Sequence, residues 1–146
     1  MKGYKGFDSN LCCRGFQYEV GKTYEMEELP IVCKQGFHFA LGFSTVEKYY
    51  PLIDYCELYG DNTIYHRRAM PYFSGNRYCE IEAIGEIDEE AFAAIPKLAT
   101  NKIRIVRELS KEEIYYKIWH YLRYRYTEKE IEIIEEALIG KSEVKG

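Results

Sequence analysis

The chain has no CxxC pair, no apolar run of membrane-spanning length and no strong excess of either charge. Each absence removes a class of function. Five cysteines stand at 12, 13, 33, 56 and 79. The adjacent Cys12–Cys13 pair is poor spacing for zinc, so a metal site gathered from Cys12, Cys13, Cys33 and His38 is not expected. The odd cysteine count, with a polar start at Lys2 in place of a signal peptide, points to reduced thiols in a cytosol. Without a long apolar run, no membrane span is expected. A net charge of -4 gives no global drive towards nucleic acid. Neither an internal repeat nor a linker is visible, so residues 1–146 read as one domain. No complete catalytic constellation stands in the chain, and no cofactor is implied.

What is present is ordinary globular composition, 47% hydrophobic and 30% charged, with one oddity: 15 tyrosines. Exposed tyrosines supply contact area at low entropy cost, so the excess points to binding surfaces; the plainer reading is that tyrosine fills strands. The densest local signal runs from Cys13 to Glu25. Phe16, Tyr18 and Val20 alternate with Gln17 and Glu19, the period of a half-buried strand. Gly21-Lys22 reads as a turn, and Thr23-Tyr24 as an antiparallel return.

Further strands are expected at Gly3 to Phe7, at Phe37 to Ala40 with His38 facing out, at Arg77 to Ile87, and at Lys102 to Val106. Ser44 with Glu47 has capping-box spacing and predicts a short helix, Thr45 to Tyr50, stopped by Pro51. Asp88 is placed to cap another through Ala94. Between Pro51 and Asn76 the pattern predicts one short strand near Thr63 to His66 within much loop, a candidate contact surface. After residue 109 the period changes. Ser110 with Glu113 and Thr127 with Glu130 are two capping boxes. Ile114, Tyr115, Ile118, Trp119 and Leu122 share one face of the first helix; Ile131, Ile134 and Leu138 share one face of the second, which Gly140 stops. The expected class is α+β: an antiparallel sheet of N-terminal hairpins with short helices over 1–109, then a C-terminal αα-hairpin over 110–140.

Tyr4-Lys5-Gly6-Phe7, the stretch Cys13 to Lys22, Cys33 with Gly36-Phe37-His38, and Arg77 to Ala83 with Gly85-Glu86 together resemble a family of small uncharacterised proteins. Its members are found largely in phages, prophages and gut or soil bacteria. The resemblance spans most of residues 3 to 107 and carries no activity. It implies a mobile-element origin and a protein of the host cytosol. The long segment from Pro51 to Asn76 and the helical pair from Ser110 to Leu138 depart from it, and individual specificity is expected there.

Three sets of residues could carry chemistry. Glu80-Ile81-Glu82 resembles the Glu-x-Glu motif of arginine-directed ADP-ribosyltransferases, and Phe43-Ser44-Thr45 faintly resembles their Ser-Thr-Ser motif. The resemblance implies Glu82, Glu80, Ser44 and Arg14 as catalytic residues. The plainer reading is that Glu80 and Glu82 pair with Lys102 and Arg104 across a sheet. His38, Arg14 and Cys13 could gather into a small polar site, although a Cys-His nucleophile would also need an orienting partner. Tyr116, Lys117, His120, Arg123 and Tyr124 lie off the apolar stripe of the first C-terminal helix, where cations and rings interleave as a nucleic-acid surface requires.

The expectation is therefore a non-enzymatic binding protein of phage or prophage type. It would act by stoichiometric contact with a host or defence-system protein, for example as an anti-CRISPR. Tyr59, Tyr65, Arg67, Arg68, Tyr72, Tyr116, His120 and Arg123 are its candidate binding residues. An ADP-ribosyltransferase-like enzyme and a nucleic-acid-binding module centred on 111–124 are the alternatives.

Overall fold

The structure is a computed structural model that describes residues 1–59 and 67–140, with side chains described for 1–56 and 69–140. The strands in chain order are β1 (Lys2–Phe7), β2 (Cys12–Cys13), β3 (Phe16–Gln17), β4 (Thr23–Glu25), β5 (Phe37–Phe39), β6 (Ile53–Tyr59), β7 (Arg67–Phe73), β8 (Arg77–Ala83), β9 (Ile87–Glu89), β10 (Leu98–Thr100) and β11 (Lys102–Glu108). The helices are α1 (Phe43–Tyr49), α2 (Lys111–Ile118), α3 (Leu122–Arg125) and α4 (Glu128–Ile139). The fold is mixed α+β with antiparallel sheets and a C-terminal helical hairpin region. Two compact units form, one from Met1–Tyr50 with Asn76–Leu109, the other from Pro51–Gly75 with Ser110–Gly146.

The first unit holds a four-stranded sheet in the order β1-β8-β11-β4 and a three-stranded sheet in the order β5-β10-β9. Alternation dictates the inner face. Cys79, Ile81 and Ala83 of β8 and Ile103 and Ile105 of β11 are buried, as a period of two requires. On β1 the same alternation puts Gly3, Lys5 and Phe7 on one face, so a lysine enters the core. Tyr4 exchanges backbone hydrogen bonds with Ala40 at 2.8 and 3.0 Å, which joins β1 to the segment leaving β5. Phe7, Tyr18 and Phe37 complete the core with T-shaped ring contacts, Phe7 to Tyr18 at 5.3 Å and Tyr18 to Phe37 at 6.3 Å.

The expected 13–25 hairpin is divided between two partners. β3 returns on β2 through Arg14-Gly15, and both of those residues have positive φ. That is the requirement of a two-residue type I′ turn. β4 pairs with β11 instead, because Gly21 N–H reaches Ile105 O at 2.7 Å and Ile105 N–H reaches Lys22 O at 2.9 Å. Two capping expectations fail for packing reasons. α1 starts one residue before Ser44, with Gly42 as its N-cap and no side-chain cap, since Phe43 is drawn inward against Tyr78 at 4.9 Å. Asp88 lies in a strand, not at a helix start, because β9 pairs with β10 and the Asp88 carboxylate accepts Val32 N–H at 2.8 Å.

In the second unit, β6 and β7 form an antiparallel hairpin where loop was expected. The strand expected at Thr63 to His66 lies outside the described residues. Both C-terminal capping boxes form: Ser110 and Glu113 exchange bonds at 2.8 and 3.1 Å, Thr127 and Glu130 at 2.8 and 3.2 Å. Ile114, Ile118, Leu122, Ile131, Ile134 and Leu138 are buried as the 3.6 period requires. Trp119 is not: it is the C-cap of α2, its N–H bonded to Tyr115 O at 2.9 Å, and its ring is exposed. α4 packs against both α2 and β7 and ends at Gly140, φ 66°.

Candidate functional site

A cavity of about 260 Å³ opens in the first unit, and residues from six stretches of the chain line it, Cys33 of the loop before β5 among them. Lys5 comes from β1, Cys13 from the end of β2, Arg14 from the β2–β3 turn, His38 from β5, Tyr50 from the end of α1, and Lys97 from the residue before β10. Lys5 is 3% exposed and donates from Nζ to His38 O at 2.6 Å. Burial pulls its ammonium well below the ordinary lysine range, and the Cys13 sulfur opposes that shift by charge and by a hydrogen bond. Cys13 Sγ also lies 2.9 Å from Tyr50 Oη, and burial followed by that contact pushes the phenol up. Tyr50 is fixed from behind: Tyr78 Oη donates to its carbonyl, and Gly6 passes so close that a Cβ there would stand 2.7 Å from the Tyr50 ring.

His38 faces the cavity half-buried, not solvent as its alternation with Phe37 and Phe39 suggested. Its Nε2 accepts Cys33 N–H at 2.7 Å and the Gly36 backbone engages the ring as well. Burial, then the charges of Lys5, Arg14 and Lys97, lower its pKa to about 4. Cys13, Arg14 and His38 therefore share one wall, but no Cys-His pair forms: the imidazole is committed to backbone and the thiol to Tyr50 and Lys5. Lys5, Tyr50 and Lys97 were not singled out from the sequence. The one available signal was Lys5 alternating with Gly3 and Phe7, on the strand face opposite Lys2 and Tyr4.

Glu80 and Glu82 line a separate open groove of about 700 Å³ with Lys2, Tyr4, Leu41 and Arg104. Glu80 is taken by Arg107, through Nε at 3.0 Å and Nη2 at 3.1 Å. The expected partner was Lys102 or Arg104. A register shift between Ile105 and Arg107 brings Arg107 opposite Glu80 instead, while Lys102 lies 3.9 Å from Glu25. Glu82 stands between Lys2 and Arg104 in register, and no ion pair forms at it among the described residues. Arg14 lines the first cavity and Ser44 lines neither, so the four residues of the ADP-ribosyltransferase resemblance are not brought together.

In the second unit, Tyr72 is exposed on β7 beside Asp54, whose charge raises the phenol. Tyr116, His120 and Arg123 are exposed on and after α2. The side chains of Tyr59, Tyr65, Arg67 and Arg68 lie outside the described residues. Tyr115 Oη donates to Glu135 Oε2 at 2.6 Å; burial first and this bond second push its pKa to about 12. No cluster of metal-ligating side chains occurs among the described residues, and none of the described helices is long and apolar enough to cross a membrane.

Residues 1–68 match the model of a family described as a domain of unknown function (DUF7666). This is consistent with the resemblance to an uncharacterised family, and the matched stretch contains every cavity residue named above except Lys97. No curated protein and no solved structure matches the chain.

Proposed function

We propose that this chain is a non-enzymatic binding protein that captures a protein partner in stoichiometric contact through its second unit. The supporting observation is the outward placement of rings on the C-terminal helices. Tyr116 is 77% exposed, Trp119 55% and Tyr124 91%. Interface hot spots are rich in tyrosine and tryptophan, and a monomer gains nothing in stability by exposing them. Trp119, His120 and Tyr121 follow one another with edge-to-face ring contacts at 6.4 and 5.2 Å, which holds them as a ready-made ledge. The partner class proposed is a host or defence-system protein in the cytosol, as the resemblance to phage and prophage proteins suggests, an anti-CRISPR role being one form of it.

The test is affinity capture from a host lysate, with and without nuclease, using the full chain and a Tyr116→Ala/Trp119→Ala/Tyr124→Ala variant. One stoichiometric protein that survives nuclease and is lost with the variant is the expected outcome. Capture that the triple variant leaves unchanged would sink this surface. Loss of all capture on nuclease treatment, with binding that falls steeply in salt, would move the assignment to nucleic acid through His120 and Arg123.

A further inference from the structure

We propose that the cavity bounded by Lys5, Arg14 and Lys97 binds a small organic anion, one carboxylate or phosphate group carried on a compact apolar body. Three cationic side chains line this space and no carboxylate does. Asp8, whose charge reaches Tyr50, has Oδ1 turned to the N–H groups of Asn10 and Cys12 at 2.8 and 2.9 Å. A lysine amine taken out of water needs a counter-charge or a full set of acceptors. Lys5 finds one carbonyl, one thiol and the faces of the Phe7 and Tyr18 rings at 5.9 and 5.3 Å, none of them a carboxylate. The fields of all three cations converge on His38, which they and burial keep neutral. An anion in the cavity would oppose the burial that pulls the Lys5 ammonium down and would face Arg14 and Lys97 as their counter-charge.

Arg14 carries the second, independent part of the case. It has φ +53° at the first central position of the β2–β3 turn, where asparagine, aspartate or glycine is the low-strain choice. A left-handed arginine is strained, and such strain persists where the residue has a use. Arg14 lines the cavity and is exposed, yet its side chain makes no hydrogen bond or ion pair among the described residues. Cys33, on the same cavity, is a second left-handed non-glycine at φ +68°. Phe39, Ala40, Val46 and the Tyr49 ring give the wall its apolar part, beside the polar groups of His38, Thr45 and Tyr50, with Lys97 Nζ 4.7 Å from the centre of the Tyr49 ring. A volume of about 260 Å³ is below the range of drug-sized pockets and suits a body of benzoate size.

The experiment is calorimetric titration of the full chain with benzoate and with phenyl phosphate, against benzyl alcohol as the uncharged match. Saturable binding of at least one anion, absent for benzyl alcohol, is expected. Arg14→Asn suits the left-handed turn and removes the cation; it should weaken the anion about tenfold or more, the scale of one charge-assisted hydrogen bond, with an unchanged or raised melting midpoint. If Arg14→Asn instead lowers the midpoint, Lys97→Gln decides, and a several-fold weakening is expected there. The proposal is overturned if neither anion binds, if benzyl alcohol binds as well, or if the deciding variant binds like the parent. None of the residues proposed for protein capture takes part, so either proposal can fail without the other.

Discussion

In the unit built from Met1–Tyr50 and Asn76–Leu109, charge goes inside. Lys5 and Glu47 are buried, and the rings of Phe7, Tyr18 and Phe37 are buried with them. In the unit built from Pro51–Gly75 and Ser110–Gly146, Tyr55, Tyr72, Tyr116, Trp119 and Tyr124 are exposed, while the first unit exposes Phe16, Tyr49 and Phe92 beside its buried rings. The buried charge described in the second unit, Glu130, is half of a capping box and serves the helix end. The contrast separates what folding requires from what it does not. A sheet closed over by loops has room for a lysine and a cavity. Three helices and a hairpin have an inner face filled by isoleucine and leucine, and the large rings are left over for contact.

The comparison breaks first if core and surface rings respond alike. Phe7 is fully buried, so Phe7→Ala should cost about 3–5 kcal/mol in urea denaturation, and Ile134→Ala about 2–5 kcal/mol in the second unit. A loss below about 1 kcal/mol at Phe7 would mean that the ring core does not hold the first unit.

The next largest effect is electrostatic and belongs to the first unit alone. His38 titrates at about 4 when folded and near 6.5 when unfolded. Between those values the unfolded chain binds the extra proton, so the stabilisation is complete above pH 6.5 and is lost as pH falls towards 4. The loss amounts to about 3 kcal/mol at most. His38→Gln should be flatter than the parent across this window in denaturation at stepped pH. Parallel profiles would show that the imidazole is not held neutral by its surroundings.

Smaller effects sharpen the second unit. Ser110→Ala and Thr127→Ala each remove one half of a formed capping box and should cost about 1 kcal/mol, read as a lowered urea midpoint. Smallest of all, Tyr116→Ala and Tyr124→Ala should change stability by less than about 0.5 kcal/mol, because they leave the surface and not the core. A larger loss at either tyrosine would make it a packing residue and weaken its case as a contact.

Local signals carried some elements directly. The alternation from Arg77 to Ala83 names its own inner face, and the two Ser/Thr-x-x-Glu boxes mark helix starts to the residue. Such features need only neighbours within four residues, so a linear reading finds them. The same spacing at Ser44 and Glu47 misled, because Phe43 packing on Tyr4 and Tyr78 outweighed a cap of about 1 kcal/mol. Glu80 was read with the wrong cation, since an irregularity in β11 after Ile105 shifts the register and no residue type announces it.

By itself the amino-acid sequence determined the α+β class, the inward aliphatic faces of β8, β11 and α4, and the helix starts at Ser110 and Thr127. These follow from periodicity and short-range hydrogen bonding. Only the tertiary structure decided that Lys5 is buried, that β4 leaves its hairpin for β11, and that residues 5, 13–14, 38, 50 and 97 enclose one cavity. Those outcomes depend on strand order and on the packing of segments as many as 92 residues apart, Lys5 and Lys97, around one space, and the energy that places them belongs to the packed ensemble of segments, not to any one of them.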